Sequence, residues 1–164
     1  MQTFMPSIDF QETAQYLDRQ RLNKQALEGW QIMMTNLKLD PEGNHREPKG
    51  WYNHPAVVMW RGHEKALLDY IRAMVSEWIL RGYKSTILDK AEATFVRGLE
   101  GGLVAYPHGD LPMWALDKSL SEKVASSHRI ALLSKNYSWY SKFGWDEDTG
   151  TQPESYEYVW PEGD

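Results

Sequence analysis

The hydrophobic residues between positions 10 and 37 recur every three or four residues, which is the spacing of one face of an α-helix. The members of this stripe are Leu22, Ala26, Trp30, Met33 and Leu37. They predict a first long helix over residues 10–37. The chain has no internal repeat, and no stretch alternates apolar and polar residues for long enough to predict a strand. The periodicity therefore predicts an all-α fold.

Further helices are expected along the chain, separated by segments rich in glycine and proline. The helices predicted after the first cover about residues 55–81, with a kink near Gly62, 86–97 and 116–135. Pro55 stands where the first turn of a helix tolerates proline, and Gly82 stands where a helix ends. Residues 38–53 and 98–112 are predicted to be irregular. We expect a compact single domain of three or four helices with long irregular connections.

Composition excludes several kinds of site. Cysteine is absent from the 164-residue chain, so disulfides, thiolate nucleophiles and cysteine-based zinc sites are excluded. The five histidines also lack the spacing of metal ligands. The first ten residues lack a signal-peptide pattern, and no window of about 20 residues is apolar enough to span a membrane. We expect a cytoplasmic monomer that does not contact membranes.

The net charge of −5 hides an asymmetry between the two parts of the chain. Residues 146–164 contain seven acidic residues and no Lys or Arg, so residues 1–145 hold 18 basic and 16 acidic residues, a net charge of +2. A mildly basic domain is compatible with DNA binding. We therefore predict a helical domain over residues 1–145 and an acidic tail over residues 146–164. The tail would either aid solubility or modulate a basic cleft.

A line of charged and polar side chains runs along the predicted first helix, opposite its apolar stripe. Arg21, Lys24, Glu28 and Gln31 all point within about 40° of one common direction. One interpretation is a solvated surface, on which a Lys24–Glu28 pair contributes a few tenths of a kcal/mol. The other is a functional site, because an amine, a guanidinium and a carboxylate can hold a phosphate and stabilise a cationic sugar. The residues alone leave both interpretations open.

Four motifs occur in an order that resembles a known family. In the segment YLDRQRLNKQALEGWQ, over residues 16–31, Tyr16, Leu17, Asp18 and Leu22 match the start of that family's first helix. The other three motifs are GWYNHPAVVMWRGH over 50–63, EWILRGY over 77–83 and SWYSKFGW over 138–145. Together they resemble the pyrimidine-dimer DNA glycosylase/AP lyase family, of the phage endonuclease V type. The resemblance implies an endonuclease V-like helical domain in a bacterial or phage-infected cell.

The resemblance also implies a chemistry and a catalytic carboxylate. Family members excise a damaged pyrimidine from double-stranded DNA without a metal or organic cofactor, and an amine of the enzyme forms a Schiff base with the sugar. Glu28 falls on the family's catalytic glutamate, whose role would be to stabilise positive charge on the sugar. The family's arginines on either side of it are replaced here by Leu27 and Gln31. Arg21 and Lys24 are candidates to supply the missing charge.

The nucleophilic amine has two candidates. In the phage enzyme it is the α-amine of an N-terminal threonine that removal of methionine exposes. Here residue 2 is Gln, a side chain too large for ordinary methionine removal, so Thr3 is not expected to be terminal. The α-amine of Met1 and the side chain of Lys24 therefore remain as alternatives.

Basic and aromatic residues elsewhere fit a DNA surface. The candidate DNA contacts are Gln31, Lys49, Trp51, Tyr52, Asn53, His54, Arg61, Trp139, Tyr140 and Lys142. For His54 a helix-capping role is the stronger expectation, and the aromatics of the 138–145 motif are equally explained as packing between helices. Two alternative functions stay open: another reaction on a modified DNA base, and noncatalytic DNA binding with the fold retained.

Overall fold

The computed structural model describes residues 1–163, and these form helices joined by turns and irregular segments, with no strand among them. The helices are α1 (Phe10–Tyr16), α2 (Arg19–Leu37), α3 (Pro55–Val58), α4 (Glu64–Leu80), α5 (Ile87–Glu100), α6 (Met113–Leu116), α7 (Lys118–Lys135) and α8 (Tyr137–Tyr140), followed by a 3₁₀ turn over Ser141–Phe143. The all-α prediction is confirmed. Within this part of the chain, no helix is both long and apolar enough to cross a bilayer.

α5 and α7 lie close to their predicted positions, whereas the helix predicted over residues 55–81 is divided into α3 and α4 by a turn near the expected kink at Gly62. α2, α4, α5 and α7 contain 19, 17, 14 and 18 residues. Pro55 occupies the first turn of α3, as predicted, and Gly82 follows α4 with a left-handed φ of 98°. The remaining helices are one or two turns long, and periodicity over so few residues gives no usable signal.

The predicted helix over residues 10–37 is wrong in one respect, because the chain leaves the helical conformation at Leu17 and Asp18. Leu17 has a ψ of 136° and Asp18 a ψ of 159°. The backbone N–H of Asp18 donates to the hydroxyl oxygen of Tyr140 at 3.0 Å, and the Tyr140 hydroxyl donates back to the Asp18 carboxylate. A contact across 122 positions of sequence therefore accompanies the break, which local periodicity could not reveal.

The core lies where α2 crosses α4 and α5, with α1 packed on α4. Gly29 marks the closest approach, since a Cβ there would lie 2.7 Å from Cγ1 of Ile71 on α4. The largest fully buried side chains include Trp60, Tyr70 and Met33. The apolar stripe of α2 faces this core, which leaves its polar line on the outside.

The N-terminal segment is buried in the domain although it has no regular secondary structure. The backbone N–H of Phe4 donates to Oε1 of Gln25 at 2.7 Å, and that of Met5 donates to Nδ1 of His128 at 2.8 Å. The side-chain amide of Gln25 in turn donates to the carbonyl of Gln2 at 3.1 Å. These bonds hold the start of the chain between α2 and α7.

Residues 146–163 have no helix, and they pack along α7. Glu147 pairs with Arg129 of α7 at 2.8 Å, and the backbone N–H of Val159 donates to the Ser127 hydroxyl at 3.0 Å. Near its end the segment reaches α3, because the Trp160 ring lies 5.5 Å from the ring of His54, and a Cβ added to Gly163 would lie 2.8 Å from the carbonyl oxygen of Val58. The tail is therefore part of the folded surface.

Candidate active site

A pocket with a volume of about 260 Å³ opens beside the polar line of α2. Its walls come from the N-terminal segment, α2, the end of α7 and the tail. The lining residues are Met1, Gln2, Phe4, Gln20, Arg21, Lys24, Gln25, Glu28, Lys135 and Tyr158. The four residues assigned to catalysis from the sequence, Met1, Arg21, Lys24 and Glu28, thus meet in one cavity.

Glu28 is held by a buried amide. Oε2 of Glu28 accepts a hydrogen bond at 3.0 Å from the side chain of Gln25, which is 1% exposed. Gln25 also binds the backbone of Gln2 and Phe4, as described above, and its Oε1 lies 2.8 Å from the Tyr70 hydroxyl. Burial above all, and then the Glu28 charge, raise the pKa of that hydroxyl. Gln25 therefore ties the carboxylate to the segment that carries the N-terminal amine.

Cationic side chains surround Glu28 in the pocket. Arg21 is partly buried and pairs with Asp18 at 3.2 Å, which fixes its direction on the helix. Lys24 and Lys135 are both exposed at the rim. Positive charges around one carboxylate suit an anionic substrate such as a phosphodiester. Within residues 1–163 no group of three or more His, Asp or Glu side chains is arranged to hold a metal ion.

The N-terminal amine lies within electrostatic reach of His54. Burial first, and then the charge of the N-terminal ammonium, lower the pKa of His54. Its Nδ1 accepts the backbone N–H of Ala56 at 3.1 Å, so His54 caps α3 as predicted. Thr3 is fully buried and accepts the indole N–H of Trp60 at 2.9 Å. The Thr3 hydroxyl therefore has a packing role.

A second, wider cavity of about 660 Å³ adjoins the pocket, and we call it the α2 groove. Its lining residues are Asp18, Arg19, Gln20, Asn23, Lys24, Trp78, Asn136 and Trp139. Gln20 and Lys24 line both cavities, so the two are neighbours on one face of α2. The Trp139 indole donates to the carbonyl of Tyr16 at 2.7 Å, and the Lys142 ammonium lies 3.2 Å from the Trp139 ring centre. The groove is thus basic and aromatic.

Three of the candidate DNA contacts, Tyr52, Arg61 and Tyr140, make contacts within the protein. Tyr140 is fully buried against Asp18, so it cannot contact DNA in this fold, which corrects the sequence-based assignment. Arg61 donates to the carbonyl of Tyr52 and to Oδ1 of Asn36 at 2.9 Å, and its guanidinium lies 3.8 Å from the Tyr52 ring centre. Arg61 and Tyr52 therefore brace the turn before α3.

Other candidate contacts lie further along the same side of α2. Lys49 and Trp51 line a cavity of about 300 Å³ with Met34 and Thr35 of α2. Asn53 is exposed in the same turn, and Trp51 is 49% exposed. Gln31 is exposed on α2 between the pocket and this cavity, and it lines neither. These residues stay predicted DNA contacts.

Sequence reasoning missed six of the ten residues that line the pocket, namely Gln2, Phe4, Gln20, Gln25, Lys135 and Tyr158. Gln25 carried a weak local signal, since it is a polar residue three positions before Glu28 and beside the apolar stripe. Lys135 and Tyr158 carried none, because more than 100 residues separate each of them from Glu28. Only the tertiary fold brings them to the pocket.

Comparison with known proteins adds one finding. A family model described as pyrimidine dimer DNA glycosylase matches residues 1–91, which is more than half of the chain. No curated protein and no solved structure matches the chain. The matched region contains Met1, Arg21, Lys24 and Glu28, whereas α7 and the tail lie outside it.

Proposed function

The chain belongs to the pyrimidine dimer DNA glycosylase family, and from this premise we propose that it excises a damaged or modified pyrimidine from duplex DNA in the pocket beside α2. The main observation that supports the proposal is that one cavity is lined by Glu28, Arg21, Lys24 and Met1. A carboxylate, cations and an amine are the groups that cleavage of a glycosidic bond beside a phosphodiester requires.

The proposed reaction begins with attack of a neutral amine on C1′ of the damaged nucleotide. The bond between C1′ and the base breaks, and the base leaves with its electron pair and a proton. Opening of the sugar ring gives a protonated Schiff base, and removal of a C2′ proton expels the 3′ phosphate by β-elimination. Glu28 stabilises the positive charge on the sugar and moves protons at the ribose.

Met1 is the preferred source of the amine. The resemblance to the phage enzyme implies an α-amine as the nucleophile, because that enzyme uses one. The Met1 amine also belongs to a segment that Gln25 connects to Glu28. Lys24 is exposed at the rim of the pocket, where its ammonium suits a phosphate.

Base chemistry in a duplex requires that the nucleotide leaves the helical stack, which costs least at a lesion. The pocket volume of about 260 Å³ lies just under the roughly 300–1,000 Å³ of small-molecule sites, which suits one extruded nucleotide. The α2 groove, with Trp139 and Lys142 at its edge, is proposed to follow the DNA backbone on one side. Gln31, Lys49 and Trp51 are proposed to contact the DNA backbone on the other side of the pocket.

Replacement of Glu28 by glutamine tests the assignment. We expect single-turnover excision from a duplex with a cyclobutane pyrimidine dimer to fall roughly 10²- to 10⁴-fold in Glu28→Gln, as for loss of a group that moves protons in the transition state. The affinity for the same duplex should change little, because the shape of the side chain is kept. Glu100→Gln, at the exposed end of α5, is the matched control and should act like the wild type.

Two results would contradict the proposal. Excision at the wild-type rate by Glu28→Gln would remove Glu28 from the chemistry. A wild-type protein that binds the duplex and excises no base would favour a noncatalytic DNA-binding role or a different reaction on the base.

A further inference from the structure

The tail contributes to the pocket although it lies outside the region that the family model matches. Lys135, at the end of α7, and Tyr158, in the tail, both line the cavity that contains Glu28. We call residues 152–160 the C-terminal strap. The strap passes along α7 and brings Tyr158 to the pocket wall opposite α2.

The strap is attached to the domain on both sides of Tyr158. The side chain of Gln152 donates to the carbonyl of Ser134 at 2.7 Å, and the backbone N–H of Val159 donates to the Ser127 hydroxyl at 3.0 Å. The Trp160 ring meets the His54 ring at 5.5 Å, edge to face. Tyr158 is therefore held at the pocket by its neighbours in sequence.

The Tyr158 ring is fixed by other aromatic rings. Its centroid lies 6.2 Å from that of Phe4 and 5.6 Å from that of His128, both in edge-to-face arrangements. Tyr156 and Trp160 flank it at 5.2 and 5.4 Å. Rings packed in this way lose little freedom when a ligand binds, which favours recognition.

Of the aromatic side chains that line the pocket, Tyr158 is the more exposed one. Of the lining residues, the aromatic ones are Phe4 and Tyr158. Phe4 is only 6% exposed and belongs to the core, whereas Tyr158 is partly exposed. An extruded base needs a flat apolar partner in place of its neighbours in the stack, and aromatic rings supply it.

Lys135 supplies a positive charge next to this ring. It is exposed, and its ammonium lies 4.9 Å from the centre of the Tyr156 ring, a cation–π contact that directs the side chain. Arg21 and Lys24 face it from α2 across the same cavity. A phosphate of the extruded nucleotide would find cations on both sides.

We infer that the C-terminal strap is part of the substrate site, with Tyr158 stacking on the extruded base and Lys135 binding the phosphate beside it. The inference rests on the proposed function, and it deepens that proposal by naming the groups that recognise the base. It makes the tail a determinant of which base the enzyme accepts.

A pair of duplexes separates base recognition from backbone binding. One carries a cyclobutane pyrimidine dimer, and the other carries an abasic site at the same position, which leaves no base to stack. We expect Tyr158→Ala to weaken affinity for the dimer duplex by roughly 5- to 150-fold, the usual effect of removing one stacking ring. The affinity of Tyr158→Ala for the abasic duplex should stay at the wild-type value. Tyr158→Phe should bind both duplexes with the wild-type affinity.

Equal loss of affinity for both duplexes in Tyr158→Ala would overturn the inference, because it would show a purely structural role. Wild-type affinity for both would overturn it as well. In either case the wild-type protein would still excise the dimer. Failure of the proposed function looks different, since the wild-type protein would then excise no base at all.

The proposed role of Lys135 in phosphate binding is tested by the salt dependence of DNA affinity. Loss of one phosphate contact should reduce the slope of log affinity against log salt concentration by about 1 in Lys135→Ala, on both duplexes alike. Lys118→Ala, at the exposed opposite end of α7, is the control and should keep the wild-type slope. A wild-type slope in Lys135→Ala would remove Lys135 from the phosphate site.

Discussion

At the break between α1 and α2, the hydroxyl of Tyr140 donates to the carboxylate of Asp18. Asp18 is 5% exposed and Tyr140 is fully buried, and the same carboxylate pairs with Arg21 of the pocket. Burial above all raises the pKa of the Tyr140 hydroxyl, so it remains a donor. This pair therefore connects the core to the catalytic face of α2.

Removal of the Tyr140 hydroxyl should destabilise the fold. In Tyr140→Phe the buried carboxylate of Asp18 loses a partner, which costs about 1–3 kcal/mol of the free energy of unfolding. Urea unfolding measures this change. Tyr137→Phe is the control, because the Tyr137 hydroxyl bonds to Asp148 near the surface, and its midpoint should hardly move. A Tyr140→Phe protein as stable as the wild type would show that the pair contributes nothing.

At the scale of single residues, the sequence pointed to three side chains that line the pocket and missed the amide that bonds to one of them. Arg21, Lys24 and Glu28 were visible because helical periodicity places them on one line. Gln25 was not, since a buried amide beside an apolar stripe looks like an ordinary border residue. Its role depends on the backbone of residues 2–4, which comes to it through tertiary contacts.

Among the helices, α7 supports the pocket because it holds the N-terminal segment in place. His128 of α7 accepts the backbone N–H of Met5, so it fixes the N-terminal segment. Burial first, and then the charge of Arg129, lower the pKa of His128 from 6.5 to about 3. The folded state therefore needs the neutral imidazole.

This requirement predicts a pH dependence of stability. Between pH 6.5 and about 3 the unfolded state binds a proton at His128 that the folded state does not bind. The free energy of unfolding should therefore fall as the pH is lowered through this range, by up to about 1.4 kcal/mol per pH unit. In His128→Gln, the slope of the free energy of unfolding against pH should be smaller than in the wild type between pH 6 and 5, where carboxylates in general titrate little.

His108→Gln is the matched control, because His108 is exposed on the connection between α5 and α6. Its slope should equal that of the wild type. An equally steep slope in His128→Gln would assign the pH dependence to other groups.

Comparison of the predicted helices with the observed ones shows what hydrophobic periodicity can and cannot predict. The C-terminal ends of α2 and α4 and both ends of α5 and α7 were predicted to within a few residues, because each of these helices has a stripe of several turns. The break at Leu17 was missed, since Phe10, Ala14 and Leu17 continue a helical pattern and the interruption comes from Tyr140, far along the chain. The one-turn helices α6 and α8 were missed because they are too short for periodicity to show.

For the whole molecule, the net charge of −5 conflicts with a nucleic-acid partner until the position of the charges is known. The seven acidic residues after position 145 are numerous enough to determine its sign, and Glu147 among them is neutralised by Arg129. Arg21, Lys24 and Lys135 converge on the pocket. Local charge at the site, and not the total, governs the approach of DNA.

Binding of duplex DNA should therefore depend on salt in spite of the negative net charge. We expect log affinity to fall linearly with log salt concentration, and Lys24→Ala to reduce that slope by about 1 through loss of a phosphate contact. Fluorescence anisotropy at several salt concentrations measures it. Lys123→Ala, exposed on α7, should keep the slope, and affinity independent of salt would exclude phosphate contacts.

The whole pocket could not be predicted from the sequence, although its α2 wall could. It joins residue 1, the span 20–28, Lys135 and Tyr158, and contacts at such separations depend on how the helices pack. The division into a domain over residues 1–145 and a tail after it stays a proposal, and the strap packs closely enough for Tyr158 to line the pocket.

The most direct measurement is borohydride trapping on a duplex with an abasic site, followed by peptide mapping of the adduct. Reduction fixes the Schiff base at the amine that forms it. We predict an adduct at an amine of the pocket, with the α-amine of Met1 preferred over Lys24. An adduct at a lysine outside the pocket, or no adduct while the duplex is bound, would contradict this prediction.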